Sequence, residues 1–291
     1  MKNEDQTSEQ VDVYQIVTNR IIELLEAGVV PWHKPWAAGA EEPMNLVSKK
    51  PYRGVNVWLL AASGYSSPYW VSYKQAQELG GQVRKGESST LVVFWKMLKG
   101  KDKATGEEKT IPMLRYYRVF NVEQCDGLEY PKQEPRNPGF NPLAECVKIV
   151  DGYKLGPIIQ HKSQRACYSR QTDMVNMPLP ESFDSSAEYY STLFHELTHS
   201  TGHESRIGRL QNSVSGFGST SYAKEELIAE MGAAFLSAVA GIGVRVMDNS
   251  AVYIASWLAH FKNDKKLVVG AAAAAQKSSE LILGRESPTF A

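Results

Sequence analysis

Residues 191–206 read STLFHELTHSTGHESR. Inside this stretch His195-Glu196-Leu197-Thr198-His199 places two histidines four residues apart, with a glutamate directly after the first. On a helix an i, i+4 pair stands on one face, so both imidazoles project toward one point. That arrangement holds a divalent ion, and His195 and His199 are the expected ligands. Glu196, one residue off that line, reaches the open coordination position rather than the ion. There it can take a proton from a water acidified by the metal, which makes it the expected general base. Leu193, Phe194 and Leu197 supply the apolar residues that bury the rest of the helix.

A site of this kind needs a third protein ligand. His203 follows His199 by four residues. Three ligands at successive turns of one straight helix would span roughly 12 Å, too far for one ion. Gly202 also marks the helix end. The metzincin pattern HExxHxxGxxH shares Gly202 but has Ser205 where its last histidine would stand. His203 is therefore expected beside the site and outside the ligand set. The other candidate lies in YAKEELIAEMGAAFL, residues 222–236. A glutamate on a second helix there resembles the third ligand of thermolysin-type sites, in which an acidic residue four positions on orients a metal histidine. Glu226 and Glu230 have that spacing. The resemblance makes Glu226 the ligand and Glu230 the supporting carboxylate, with Glu225 turned about 100° away toward solvent. Ala229, Ala233 and Ala234 make this a close-packing helix. The donor set suits zinc, and also manganese or another divalent ion.

The chain around the motif has 291 residues, 43% of them hydrophobic, and no net charge. That is enough for two packed units and excludes a uniformly basic nucleic-acid binder. No apolar run approaches the roughly 20 residues of a membrane span. The polar start MKNEDQTSEQ is unlike a signal peptide, so the expectation is a cytoplasmic protein without a membrane partner. Cys125, Cys146 and Cys167 are odd in number and widely spaced, and read as packed thiols. Residues 130–142, YPKQEPRNPGFNP, carry four prolines and read as a linker. The expected organisation is α+β in two domains: residues 11–130, a linker at 131–142, and a mainly helical unit with a small sheet at 143–291. In the second unit, DMVNMP at 173–178 alternates like an edge strand, where an extended peptide could add.

The first unit has its own chemical signature. Between Asn45 and Arg118 there are 13 Lys and Arg against five Asp and Glu, a local excess of eight positive charges. Aromatic residues interleave with them. Cations for phosphates and flat rings for unstacked bases are what single-stranded nucleic acid requires. Core packing claims many of those rings, and Trp58 and Trp95 sit in apolar runs. The expected contacts are Arg53 beside Tyr52, Trp70 and Tyr73 beside Lys74, and Arg84 with Lys85 at the tip of a hairpin in VRKGES.

Both halves resemble one family. PYRGVNVWLLAASGYSSPYWVSYKQAQELGGQVRKGESSTLVVFWK, residues 51–96, resembles the N-terminal domain of ArdC-type antirestriction proteins, also found on TraC-type plasmid primases. FHELTHSTGHESR followed by YAKEELIAEMGAAFL is similar to the zincin-like C-terminal domain of the same proteins. The resemblance implies single-stranded-DNA binding joined to a metalloprotease-like site, an unidentified protein substrate, and protection of incoming conjugative DNA from restriction. A more distant likeness is to the SprT and Spartan proteases, whose third ligand is a downstream histidine. Past the motif, the one downstream histidine beyond His203 is His260, without that family's surrounding pattern. A DNA-coating protein with a structural or vestigial metal site is the competing reading.

Overall fold

The computed structural model describes residues 12–33, 42–101, 108–132, 141–210, 220–242 and 251–286. In chain order the elements are α1 (Val13–Glu26), β1 (Met44–Asn45), α2 (Val55–Ala61), β2 (Tyr69–Val71), α3 (Tyr73–Glu78), β3 (Gln82–Val83), β4 (Thr90–Lys101), β5 (Glu108–Asn121) and β6 (Cys125–Asp126). Then come α4 (Pro142–Gly152), β7 (Ile158–Gln160), β8 (Cys167–Ser169), β9 (Met174–Asn176), α5 (Ser186–Ser200), α6 (Thr220–Ala240), α7 (Ala251–Asn263) and α8 (Leu267–Ile282). This is an α+β architecture with small sheets and a helical second half. Most of the Pro-rich segment, residues 133–140, lies outside the described residues.

Local chemistry sets the element ends. Asp12 caps α1 by accepting from the amides of Tyr14 and Gln15, and Gly28, at φ +76°, turns the chain out of it. Ser72 and Gln75 form a reciprocal capping box at α3. Ser185 caps α5 through the Glu188 amide, and α6 stops at Gly241 with φ +70°.

The first sheet runs β1-β2-β5-β4, with β4 and β5 forming a long antiparallel hairpin. β3 pairs with β6 and not with β4. The expected hairpin at 84–88 is therefore a loop between two sheets, and the true hairpin is β4–β5. The third sheet has the order β7-β9-β8. DMVNMP thus supplies the central strand rather than an edge, because β9 pairs on both sides. The edge strand that packs on α5 is β8.

One core joins both halves of the chain. Val17, Ile21 and Leu25 of α1, Trp32, Trp58 of α2, and Val93 of β4 pack with Leu227, Met231 and Phe235 of α6 and with Trp257, Phe261 and Val268. The opposite side of α6, through Ala233, Leu236 and Ala240, packs into a second core with Cys146, Met177, Leu193, Phe194 and Leu197. A helix apolar on every side is a buried helix, and α6 is the axis of the molecule. Its approach to α5 is close because Gly232 faces Thr198. A Cβ at Gly232 would lie 2.4 Å from the Thr198 methyl. No described helix is long and apolar enough to cross a membrane.

Candidate metal centre

His195 and His199 stand one turn apart near the end of α5, and Glu226 reaches them from the first turns of α6. His195 Nε2 and His199 Nε2 are 3.1 Å apart. Glu226 Oε2 is 3.5 Å from His195 Nε2, and Glu226 Oε1 is 3.7 Å from His199 Nε2. Three ligand atoms about 2.1 Å from a tetrahedral centre stand about 3.4 Å from one another. The separations here bracket that value, so these residues fit a four-coordinate divalent ion with one position left open. They are the one set of three metal-competent side chains among the described residues whose donor atoms converge in this way.

The carboxylate that orients the pair is not the expected one. Glu225 Oε1 is 3.0 Å from His199 Nδ1. That contact puts the ring proton on Nδ1 and leaves the Nε2 lone pair for a metal. Arg209 clamps Glu225 with bonds of 2.9 Å from Nε and 2.7 Å from Nη2, and its Nη2 also donates to the Thr198 carbonyl at 2.7 Å. Burial raises the Glu225 carboxyl, yet the bonds from His199 and Arg209 outweigh it and hold the group below the usual carboxylate range. Burial lowers the His199 imidazole, while Glu225, Glu196 and Glu226 raise it, and the net shift is upward. Glu225 thus faces inward, against the expectation that it meets solvent.

Glu230 has other partners. It accepts from Trp32 Nε1 at 3.0 Å and from the Tyr253 hydroxyl at 2.5 Å. Burial pushes its carboxyl up, against those two bonds. It ties α6 to the N-terminal segment and orients neither histidine. His203 follows the end of α5, with Nδ1 2.8 Å from the Ser205 hydroxyl and outside the converging set. Arg206 closes the same end of the helix. It donates to the Ser200 carbonyl at 2.8 Å and pairs with Asp173.

Glu196 is buried at 8% exposure and lines two clefts that flank the histidines. One, of ≈350 Å³, is bounded by His33, Gln164, Arg165, Thr192, Glu230 and Ala233. The other, of ≈400 Å³, is bounded by Cys167 and Tyr168 of β8, Arg170 and Tyr222. Among the described residues β8 is paired only to β9, so its outer edge borders the site.

The expected nucleic-acid contacts divide. Trp70 is 2% exposed, because β2 is buried on both faces, so it is core and no platform. Arg53 is half-buried in an ion pair with Glu280 of α8. Arg84 pairs with Glu87 at 2.7 Å and Asp126 at 3.5 Å, which offsets its charge. Lys85, Tyr73 and Lys74 are exposed, with Lys74 3.4 Å from Glu78. Four rings of the interleaved aromatic set that the sequence does not single out, Phe94, Trp95, Tyr116 and Tyr117 on the β4–β5 hairpin, are exposed.

Residues 11–120 match the N-terminal domain of anti-restriction factor ArdC, and residues 153–274 match a zincin-like metallopeptidase domain. The chain is 37% identical over 293 residues to a DNA primase TraC of Escherichia coli, covering 94% of this chain and 20% of the primase. It therefore spans about a fifth of that relative's length. It is 36% identical over 294 residues to the protein y4eC of Sinorhizobium fredii (strain NBRC 101917 / NGR234), covering 95% of this chain and 93% of that one. Crystal structures of the antirestriction ArdC protein from plasmid R388 share 41% identity and cover 94% of this chain. The metal-free form superposes with a TM-score of 0.75 over 97% of its own chain, and the Mn(II)-bound form with 0.76 over 98%.

Proposed function

The chain belongs to the ArdC antirestriction family, and on that premise we propose that it binds single-stranded DNA through residues 11–130 and hydrolyses peptide bonds at the centre built by residues 143–291, with the division at 131–142. The observation that carries this reading is the convergence of His195, His199 and Glu226 beside Glu196 in an open cleft. A divalent ion held there, zinc or manganese, would polarise a scissile carbonyl and acidify a water. Glu196 then receives the water's proton and passes it to the departing amine. Glu225, clamped by Arg209, fixes the tautomer and direction of His199. The free edge of β8 offers backbone amides and carbonyls to align an extended peptide across the cleft. DNA binding would concentrate this activity on proteins sharing the strand, up to the millimolar range for a short tether. The biological setting is the cytoplasm of a cell receiving conjugative plasmid DNA, where the protein shields that DNA from restriction.

The test is Glu196→Gln in the full chain. It is expected to keep metal and single-stranded-DNA binding and to lose cleavage of proteins assembled on a single strand. Cleavage at the wild-type rate would refute the assignment. Full protection of transferred DNA by this variant would show that coating alone suffices.

A further inference from the structure

The cationic, aromatic character of the N-terminal half has a defined place on its surface. β4 and β5 pair so that Val92 faces Tyr117 and Phe94 faces Arg115, which puts these four side chains on one face of the hairpin. Phe94 is 45% exposed and Tyr117 50%, with ring centroids 5.7 Å apart. Two cavities meet at Phe94, the first on this face and the second around the edge of β4, where Val93 and Trp95 of the opposite face line it. The first, ≈450 Å³, lies between Tyr117, Lys50, Lys74, Gln75 and Asn45. The second, ≈370 Å³, lies at the seam with α8, between Arg53, Asn56, Trp95, Gln276 and Lys277. Pro51 and Phe94 line both, so the two are chambers of one trough and Phe94 is the partition. Each has the size of a small-molecule site.

The charge of the trough selects its occupant. Lys50, Lys74, Arg53 and Lys277 line it, against one carboxylate, Glu280, which Arg53 already pairs. Lys74 also reaches Glu78 at 3.4 Å, both side chains being well exposed. The loop carrying Arg84 and Lys85 lacks this excess, since Glu87 and Asp126 border the same hollow. Exposed rings above a cationic rim, with amides of Asn45, Asn56, Gln75 and Gln276 inside, match unpaired nucleotides. Asn56 is committed to both the carbonyl and the amide of Val93. Asn45 and Gln75 bond one another at 3.0 Å. With its amides largely satisfied, the trough offers stacking more than base-specific bonds.

We propose that this trough is a dinucleotide subsite for single-stranded DNA, with successive bases in the two chambers and the Phe94 ring stacked between them. The subsite rests on the single-stranded-DNA reading above and gives that reading its residues. Tyr117 stacks against the base in the first chamber, and Trp95 borders the second. Lys50 and Lys74 meet the phosphates on one side of the partition and Lys277 on the other, so the strand crosses onto α8. A paired base cannot enter either chamber, which makes the site selective for unpaired DNA.

The experiment is anisotropy titration of the full chain with a labelled oligothymidylate about 15 nucleotides long, within the site sizes of single-strand binders. Phe94→Ala and Tyr117→Ala are expected to weaken binding about tenfold each, and Phe94→Trp to restore it. Lys50→Ala with Lys74→Ala is expected to reduce the salt slope by about 1.4. A 2-aminopurine pair in the strand should change emission with wild type and not with Phe94→Ala. Circular dichroism and thermal unfolding of each variant separate loss of binding from loss of fold. Wild-type affinity in Phe94→Ala and Tyr117→Ala would overturn the subsite while leaving the DNA reading intact. Failure of the wild-type chain to bind the oligonucleotide at low salt would overturn both, as would equal competition by a duplex.

Discussion

Glu225 and His199 are joined by a 3.0 Å contact between Oε1 and Nδ1, although the two residues sit on different helices. The neighbouring Glu226 turns its carboxylate to the opposite, Nε2, side of the same ring. Two adjacent glutamates thus stand where a ligand and its orienter would be, and Arg209 pairs with the one on the Nδ1 side. Glu225→Gln is expected to lower metal affinity by about 10- to 100-fold without removing a ligand. Metal titration with a competing chelator measures it. Glu230→Gln, by contrast, is expected to leave affinity near wild type and to cost about 1–3 kcal/mol of stability, because it disturbs a buried acceptor shared by Trp32 and Tyr253. The reverse pattern would return the orienting role to Glu230.

Both helices that carry the converging donors belong to the core, so an ion held by His195, His199 and Glu226 would cross-brace α5 and α6. Chelation is expected to lower the unfolding temperature and re-addition of metal to restore it. At a free metal concentration a hundred times the dissociation constant the gain is about 2.7 kcal/mol. Glu196→Gln keeps this gain, since Glu196 stands outside the ligand set, and His195→Ala abolishes it. A thermal scan indifferent to metal in the wild-type chain would contradict the site.

The helix crossing itself is set by Gly232 against Thr198. Gly232→Ala is expected to destabilise by about 1–3 kcal/mol through overpacking, since the short Thr198 side chain has nowhere to retreat. Thr198 also donates to the Phe194 carbonyl at 2.7 Å, which holds its rotamer. Adding Thr198→Ala should recover part of the loss, and denaturant melts of the four-member cycle would read the coupling. Strict additivity would mean the two residues do not press on each other.

What the sequence made legible follows how local each feature is. His195, Glu196 and His199 are fixed by one helical turn, and the spacing alone brings the imidazoles together. Glu226 lies on a second helix and is legible only through the resemblance to a known spacing; its carboxylate comes within 3.7 Å of both imidazoles. The inward turn of Glu225 is not legible from its own position, because its direction depends on how α6 is buried. The signal was present: Leu227, Ile228, Ala229, Met231, Ala233 and Ala234 leave α6 no solvent face, so both neighbouring carboxylates had to turn inward. The burial of Trp70 is not legible because a three-residue strand buried on both sides has no alternation. The loop at 84–88 has the sequence of a hairpin tip, but β3 finds its partner about forty residues on, in β6, while β4 pairs with the next strand, β5. Phe94 and Trp95 lie in an apolar run that looks like core until the hairpin is seen to project, and Tyr116 and Tyr117 are paired across from them.

Arg206 offers a test of how α5 is held at its metal end. Its side chain is 2% exposed, paired with Asp173 and bonded to the carbonyls of Ser200 and Leu155. Arg206→Ala leaves Asp173 with only the Tyr168 hydroxyl and strips the Ser200 carbonyl of its side-chain donor. Because Asp173 is partly exposed and screened, the expected cost is about 1–3 kcal/mol, measured by chemical denaturation. Asp173→Asn with Arg206→Met removes both charges and is expected to lose less than Arg206→Ala alone.

The shared core makes a last prediction about autonomy. A Pro-rich boundary suggests two units that fold separately, yet Trp32 is fully buried and hydrogen-bonded to Glu230 of α6. Val17, Ile21, Leu25 and Trp58 lie in one cluster with Leu227, Met231, Phe235, Phe261 and Val268. Cutting the chain in the Pro-rich segment would strip α6, α7 and α8 of the α1, Trp32, Trp58 and Val93 side chains that cover them. Each buried Leu, Ile or Phe newly exposed costs about 1.5–3 kcal/mol, and a domain's whole stability is about 5–15 kcal/mol. Residues 141–291 alone are therefore expected to bind hydrophobic dye, lack a cooperative thermal transition and hold metal poorly. Co-expression with residues 1–132 is expected to restore a complex with the melting behaviour of the intact chain. A sharp, metal-responsive transition in the isolated second half would show instead that the seam between the halves is dispensable, and that α1 and Trp32 merely cover a unit already stable without them.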